Sequence, residues 1–523
     1  MIINIIKPKK HFLVKVLNIL VYLLPLSFFV YHNYVDYDTW WHISLGKNYL
    51  ETGSQISNLT YTCQNYDWKN YSLLGSVFIY ILYQLGGFGL LNLLVAIIFY
   101  LGTLVNFFTI KKLIRLELNR FWLNYFLFVL LCIVSSTCLY LFRGVRPQIF
   151  SYFFVSLLFF FLVDRYYLTN NTKSKLKLIE IISLLIIFIL WVNIHGSFVI
   201  GILILVIFII KQILEIPFGI LNNSNVENIK LYISKLKQLS FLLCLWLFVS
   251  LINFHGILVW PAILEQIFSG HNHSYIEEWT QLRLDNYSSL IYFVLSLLGI
   301  FFVGNFKNLF FGSLIILSTI LSLLVARNVL PFLTINVIIV FVYFINFLKD
   351  YICYFKQSIH IYKKFFSNFK ILFLFVLLII FLYKIYLLTT EIDLKDTYPV
   401  ENVNLIKSMT EFKNIKFFNE YGWGGYLSYA LPEYLWFIDG RMPAWKCTGV
   451  AGYIMDDYVN LYYLNNKFQD IISHYQIKGF LVNKNSFLKK YLDTQTSDWI
   501  KVGDDNVSSL YIKNYLNENI AKL

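Results

Sequence analysis

The chain has 523 residues, is 58% hydrophobic and 14% charged, and has a mean hydropathy of +0.62. Soluble domains are about 45–50% apolar and about 25% charged, so a soluble enzyme, a disordered chain and a small disulfide scaffold are excluded, and a polytopic membrane protein remains. The net charge of +13 falls mainly in short loops between apolar runs, where retention of basic loops in the cytoplasm explains it better than a nucleic-acid partner does.

Lys7, Lys9 and Lys10 precede an apolar run without a small-residue cleavage site, which reads as a retained first span. Apolar runs predict spans near 12–31, 87–110, 121–141, 147–168, 179–194, 197–214, 239–259, 287–304, 308–325, 329–347 and 369–389. At about 20 residues per span this makes about eleven transmembrane helices, and 71–85 reads as an additional amphipathic or re-entrant segment. Basic residues crowd alternate loops: Lys111, Lys112, Arg115 and Arg120; Arg165, Lys173, Lys175 and Lys177; Lys211, Lys230, Lys235 and Lys237; Lys307; and the stretch from Lys349 to Lys370. The opposite loops hold only Lys47, Lys69, Arg143, Arg146, Arg283 and Arg327. This bias predicts a cytoplasmic N-terminus in the cytoplasmic membrane. The transmembrane domain then covers 1–389, with a first outer loop at 32–86 and a long outer loop at 260–286.

Residues 390–523 are more polar and richer in turns. Short strands are predicted at 415–419, 435–439 and 479–483, a helix at 468–475, and a hairpin at 499–514 around Asp504-Asp505-Asn506. These predict a small extracytoplasmic α/β domain. Cys132, Cys138 and Cys244 lie in apolar runs, Cys353 lies in a basic loop, and none has metal-ligand spacing. Cys63 and Cys447 fall outside the membrane and are candidates for a bridge.

Unusual polar residues converge on the predicted outer face, where ionisable groups at membrane ends are costly unless they pair or meet water. Asp36 and Asp38 suit a general base or a divalent-cation pair (Mg or Mn); alternatively they end a span beside Trp40 and Trp41 as interfacial anchors, with His42 next to them. Arg143 and Arg146 suit a phosphate clamp, since guanidinium forks match its oxygens, or else reach lipid headgroups or pair with an acid. His195 suits proton transfer, a sugar hydroxyl or a helix cap, and Arg327 an anionic headgroup. Glu277 and Glu278 suit an acceptor, a metal or an exposed acidic loop. Trp423-Gly-Gly-Tyr426 fits a sugar-stacking platform or a packed turn, and Asp439-Gly-Arg441 an acceptor-side contact or a turn locked by a salt bridge. No phosphate-cradling glycine loop, nucleotide fingerprint or Ser-His-Asp spacing is found.

Several stations together resemble the polytopic bacterial GT-C glycosyltransferases, which include polyprenyl-phosphate-sugar-dependent, RgtA/B/C/D-like enzymes. They are Asp36-Tyr-Asp38-Thr-Trp-Trp-His42, Trp68, Gly86-Gly87, Arg146-Pro-Gln148, Trp191-Val-Asn-Ile-His195-Gly196, Glu278-Trp279, Phe418–Tyr426 and 437–441. The resemblance implies a sugar donor on a polyprenyl phosphate, inverting transfer at the outer membrane face, and a glycan, lipid or protein acceptor. It makes Asp38, then Asp36, the base, with Arg143, Arg146 or Arg327 stabilising the departing phosphate. Because lipid phosphate leaves readily, this chemistry does not demand a cation. Two other readings stand beside it: a glycan polymerase or ligase relying on arginines and His195, and a non-enzymatic carrier or assembly scaffold.

Overall fold

The computed structural model describes residues 15–31, 34–54, 58–64, 66–115, 121–169, 176–221, 226–306, 308–354, 362–447 and 449–514. The basic residues Lys7, Lys9, Lys10, Arg120, Lys173, Lys175, Lys307 and Lys356 lie outside the described residues. Among the described residues, eight helices are long and apolar enough to cross a membrane: Leu73–Ile114, Phe121–Phe142, Ile149–Leu168, Phe198–Phe218, Val226–Val249, Tyr287–Gly304, Ala326–Leu348 and Lys370–Thr389. The remaining expected spans are shorter apolar helices at Lys15–Phe29, Leu178–Ile194 and Leu309–Leu324. The Ala326–Leu348 helix runs through the bundle interior, whereas Lys370–Thr389 packs on its periphery. Interior polar side chains satisfy one another: Asn336 Nδ2 donates to Tyr292 Oη at 2.9 Å and to Ser296 Oγ at 2.8 Å.

The 71–85 segment is a helix from Leu73 that a break at Gly86-Gly87, where Gly87 takes φ 56°, separates from the span running on to Ile114, in line with expectation. One boundary differs from expectation. The span expected at 239–259 is instead Val226–Val249, followed by a separate helix Val259–Phe268. Asn253 makes the turn between them. Its Nδ2 donates to the carbonyls of Ser250 at 2.7 Å and Gly256 at 3.0 Å, and its Oδ1 accepts the His255 N–H at 2.7 Å. Hydropathy alone runs straight across that turn.

The C-terminal domain holds a four-stranded sheet of strands β1 (Phe417–Asn419), β2 (Gly479–Asn483), β3 (Trp499–Asp504) and β4 (Ser508–Lys513), in the order β1-β2-β4-β3. β1 and β2 are parallel, the other pairs antiparallel. The helix Phe468–Tyr475 precedes β2 as expected. Residues 435–439 do not join the sheet as a strand. Asn419 Oδ1 accepts the Phe437 N–H at 2.8 Å and Asn419 Nδ2 donates to the Ile438 carbonyl at 2.9 Å, replacing ladder partners. Only Trp436 makes isolated bridges, to Phe417 of β1 and to Thr60 of the first loop, donating its N–H to Leu59 O and accepting from Tyr61 N–H, both at 3.0 Å.

Cys63 and Cys447 form a disulfide that ties the same loop to the C-terminal domain. Gly425 lets the helix Gly424–Ala430 lie close against Tyr37–Thr52: a Cβ there would stand 3.0 Å from Trp41 N and 3.1 Å from Tyr37 O, while Gly424 packs against Ile438 and Asp439.

Candidate active site

The helix Tyr37–Thr52 begins at Asp36, whose carboxylate accepts the Asp38 N–H at 2.9 Å and caps the helix. Asp38 stands in the first turn, where unpaired N–H groups favour a negative charge. Arg146 lies on the turn between Phe142 and Ile149, which is closed by the Ile149 N–H on the Arg146 carbonyl at 3.1 Å. Its guanidinium meets three carboxylates. Nη1 donates to Asp38 Oδ2 at 3.0 Å, while Nη2 lies 3.3 Å from Asp36 Oδ2 and also donates to Glu278 Oε1. Glu278 arrives on the short turn Glu277–Trp279 of the long loop. Trp41 Nε1 donates to Asp38 Oδ1 at 3.0 Å. Glycines permit this crowding: a Cβ on Gly144 would strike Asp36 Oδ2, and one on Gly440 would strike Asp38 Oδ1.

Burial pushes the Asp38 carboxyl up to about 6 against the pull of Arg146, and Asp36 adds to the rise. Burial likewise raises Asp36 despite Arg146. For Glu278, burial would raise the pKa, but Arg146 and Arg327 outweigh it and hold the carboxyl below its usual range. Burial opposes the charge of Arg146, yet its three carboxylates win and raise its pKa further.

Asp38, Arg146, Glu278, His195, Arg327 and Arg441 line a polar chamber of about 100 Å³. It shares Tyr71, Gln148, His195, Gln266, Trp279 and Arg327 with an adjoining cleft of about 180 Å³. The remaining cleft wall is mainly apolar: Val199, Ile200, Ile263, Ile267, Val325, Leu330 and Pro331. Arg327 stands at the junction, 5.2 Å from the Trp279 ring centre, with Nη2 3.2 Å from His195 Nε2. A guanidinium can only donate, so that ring nitrogen accepts. Burial, then Arg327 and Arg146, hold the His195 pKa well down, leaving the ring neutral. Arg327 forms no ion pair with an acid among the described residues. Arg146 Nε and the Gln148 side-chain oxygen, both buried, have no hydrogen-bond partner among the described residues. Both residues line the chamber, and orphaned buried polar atoms of this kind mark where a ligand's polar groups are received.

The chamber thus gathers Asp38, His42, Arg146, His195, Glu278, Arg327 and Arg441. Asp36 lies behind Arg146, and His42 Nδ1 is 2.7 Å from Ser76 Oγ. Arg441 is locked by Asp439, with Nη2 to Oδ2 at 2.6 Å, over the rings of Trp68 and Trp445. The structure does not bring Arg143 in: it stacks on Tyr34 and Tyr140, at 4.0 and 4.2 Å. Glu277 is exposed. Trp423 and Tyr426 are buried in packing, Trp423 donating to the Thr397 carbonyl at 3.0 Å and Tyr426 lying against Trp40. Trp40 and Trp41 are themselves buried, and do not serve as interfacial anchors. Sequence reasoning missed Gln148 and Gly440 as parts of the site, and read Trp41 only as an anchor. The spacing of Trp41, three residues after Asp38 on a helix, was the available signal for it.

No protein-family model matches this sequence, and no curated protein does. The fold, however, is shared with solved structures. The oligosaccharyltransferase AglB from Archaeoglobus fulgidus, in complex with an inhibitory peptide and a dolichol-phosphate, matches with a TM-score of 0.58 at 10% identity, over 92% of this chain and 71% of its own. What is shared is the fold. The A. fulgidus oligosaccharyltransferase tethered to an acceptor peptide matches with a TM-score of 0.54 at 10% identity, over 94% and 73% of the two chains. Its complex with Zn and sulfate matches at 0.53 and 11% identity, over 91% and 69%. For a metal in this chain the donor set does not fit: Asp36, Asp38 and Glu278 converge on Arg146, and no group of three or more His, Cys, Asp or Glu is placed to hold an ion among the described residues.

Proposed function

We propose that the chain is a membrane glycosyltransferase that moves a sugar from a polyprenyl-phosphate donor to a hydroxyl or amide acceptor on a glycan, lipid or protein at the outer face of the cytoplasmic membrane. The observation that carries this reading is the apolar cleft that opens, past Arg327, into the charged chamber. A lipid-linked sugar phosphate has the same three parts in the same order: an apolar chain, an anion and a polar ring. The lipid tail suits the cleft, the phosphate suits Arg327, and the sugar suits the orphaned donors and acceptors around Arg146 and Gln148. The dolichol-phosphate bound to the fold neighbour from A. fulgidus supports a lipid-linked donor.

In this reading Asp38 takes the acceptor proton as the acceptor atom attacks the anomeric carbon from the face opposite the phosphate. The bond from that carbon to the phosphate oxygen breaks, and the phosphate leaves with the electron pair. Arg327 stabilises the developing charge, and inversion follows. Asp38 is preferred over Asp36 because it lines the chamber, whereas Asp36 caps a helix and backs Arg146. The charge bias of the loops supports a cytoplasmic N-terminus and an extracytoplasmic C-terminal domain.

The test is transfer of labelled sugar from polyprenyl-phosphate donors in membranes expressing wild type or Asp38→Asn at equal level. The expected result is transfer in the wild type and a loss of about 100-fold or more in the variant, the scale of a missing general base. Undiminished transfer by the variant would take the chemistry away from Asp38. No transfer with any donor would favour a carrier or scaffold.

A further inference from the structure

Three carboxylates from two separate segments converge on one half-buried point: Asp36 and Asp38 from the start of the Tyr37–Thr52 helix, and Glu278 from the long loop. Such a set of acid oxygens is what a hard divalent cation uses for ligands, gathered at about 2.0–2.6 Å from the ion. Here the guanidinium of Arg146 stands at the point of convergence: Asp38 and Glu278 each accept one of its N–H groups, and Asp36 Oδ2 lies 3.3 Å from Nη2 in an ion pair. The Asp38 oxygen that does not face Arg146 accepts from Trp41. We infer that Arg146 is the resident cation of this site, holding the three acids together in place of a divalent ion, so that the wild-type chain takes up no stoichiometric metal there.

Guanidinium chemistry suits the substitution. The group is planar, permanently charged and rich in donors, so one side chain spans three acids at different angles, which the point charge of lysine does not do. An ion entering the cluster would have to displace Arg146 from a half-buried position and leave its charge without a partner, a costly exchange. Burial first, and then the like charge of a neighbouring carboxylate, raises Asp36 and Asp38 against the pull of Arg146. The inference extends the transferase reading, naming how that site's acids are held, but its test needs no donor or acceptor and no activity.

Purified full-length protein in detergent is stripped with chelator and titrated with Mn²⁺, with bound ion counted by electron paramagnetic resonance. Wild type is expected to bind none at this site. Arg146→Ala is expected to bind one Mn²⁺ per chain, to melt below wild type, and to recover part of its melting temperature when Mn²⁺ is added. Arg146→Ala combined with Glu278→Gln is expected to lose that uptake. One Mn²⁺ per wild-type chain, abolished by Glu278→Gln, would overturn the inference. So would a folded Arg146→Ala protein that binds no Mn²⁺, because its acids would then not be a cation set. If Arg146→Ala fails to fold, the wild-type titration with its Glu278→Gln control decides alone.

Discussion

Asp38 is held between opposing influences: burial pushes its carboxyl up to about 6, while Arg146 at 3.0 Å and the Trp41 N–H at 3.0 Å favour its ionised form. A general base works only when ionised. Transfer should therefore rise with pH through about 6 and level off about one unit above, falling about tenfold per unit on the acid side. Initial rates measured from about pH 5 to about pH 8 check this, and a profile flat down to pH 5 would remove Asp38 as the base. The acids and Arg146 were legible in the sequence because charged groups at membrane ends are costly without a partner. Their pairing was not legible. The sequence suggests a phosphate clamp for Arg146, with pairing to an acid only an alternative, whereas the side chain meets three carboxylates. Gly440 was invisible as a site residue, since its role is the absence of a side chain against a carboxylate distant in the chain.

At the scale of elements, apolar runs located the membrane helices because their burial and lipid exposure are written in composition. Side-chain turns were less visible: Asn253 ends one helix early, and Asn419 takes over the backbone partners of 437–438. The strand Gly479–Asn483 and the hairpin formed by Trp499–Asp504 and Ser508–Lys513 were legible from alternation and the turn at Asp504-Asp505-Asn506. One consequence belongs to the junction of β1 and β2. Glu420, just after β1, accepts the Asn483 N–H at 2.7 Å and the Tyr458 hydroxyl at 3.2 Å, and burial pushes its carboxyl up to about 7. A raised carboxyl pKa makes the folded domain bind a proton that the unfolded chain releases above about 4.5. Its stabilising contribution is therefore full below about 4.5 and lost as pH rises through about 7. Glu420→Gln lacks this dependence, so the melting temperature of the variant relative to wild type should climb between about pH 5 and about pH 8. A difference that stays constant across that range would contradict the assignment.

For the whole molecule, composition alone distinguishes a membrane protein from a soluble one, and the ordered stations from Asp36 to Arg441 suggest a membrane glycosyltransferase, in keeping with the fold shared with the archaeal oligosaccharyltransferase. What no linear reading could see is the join between compartments. The cleft wall combines residues from 199–200, 263–267 and 325–331, and the chamber beside it is closed by Tyr421, Gly440 and Arg441 of the C-terminal domain. The disulfide Cys63–Cys447 and the Trp436 pairing to Leu59 and Tyr61 clamp that domain onto the first loop. The central claim is that this join receives a lipid phosphate. The most direct measurement is an electron cryo-microscopy structure of the full chain in lipid nanodiscs with a polyprenyl phosphate. The account predicts phosphate within hydrogen-bond reach of the Arg327 guanidinium, with the polyprenyl chain along Ile263, Ile267 and Leu330. A phosphate bound at another face of the molecule, with Arg327 unengaged, would contradict it.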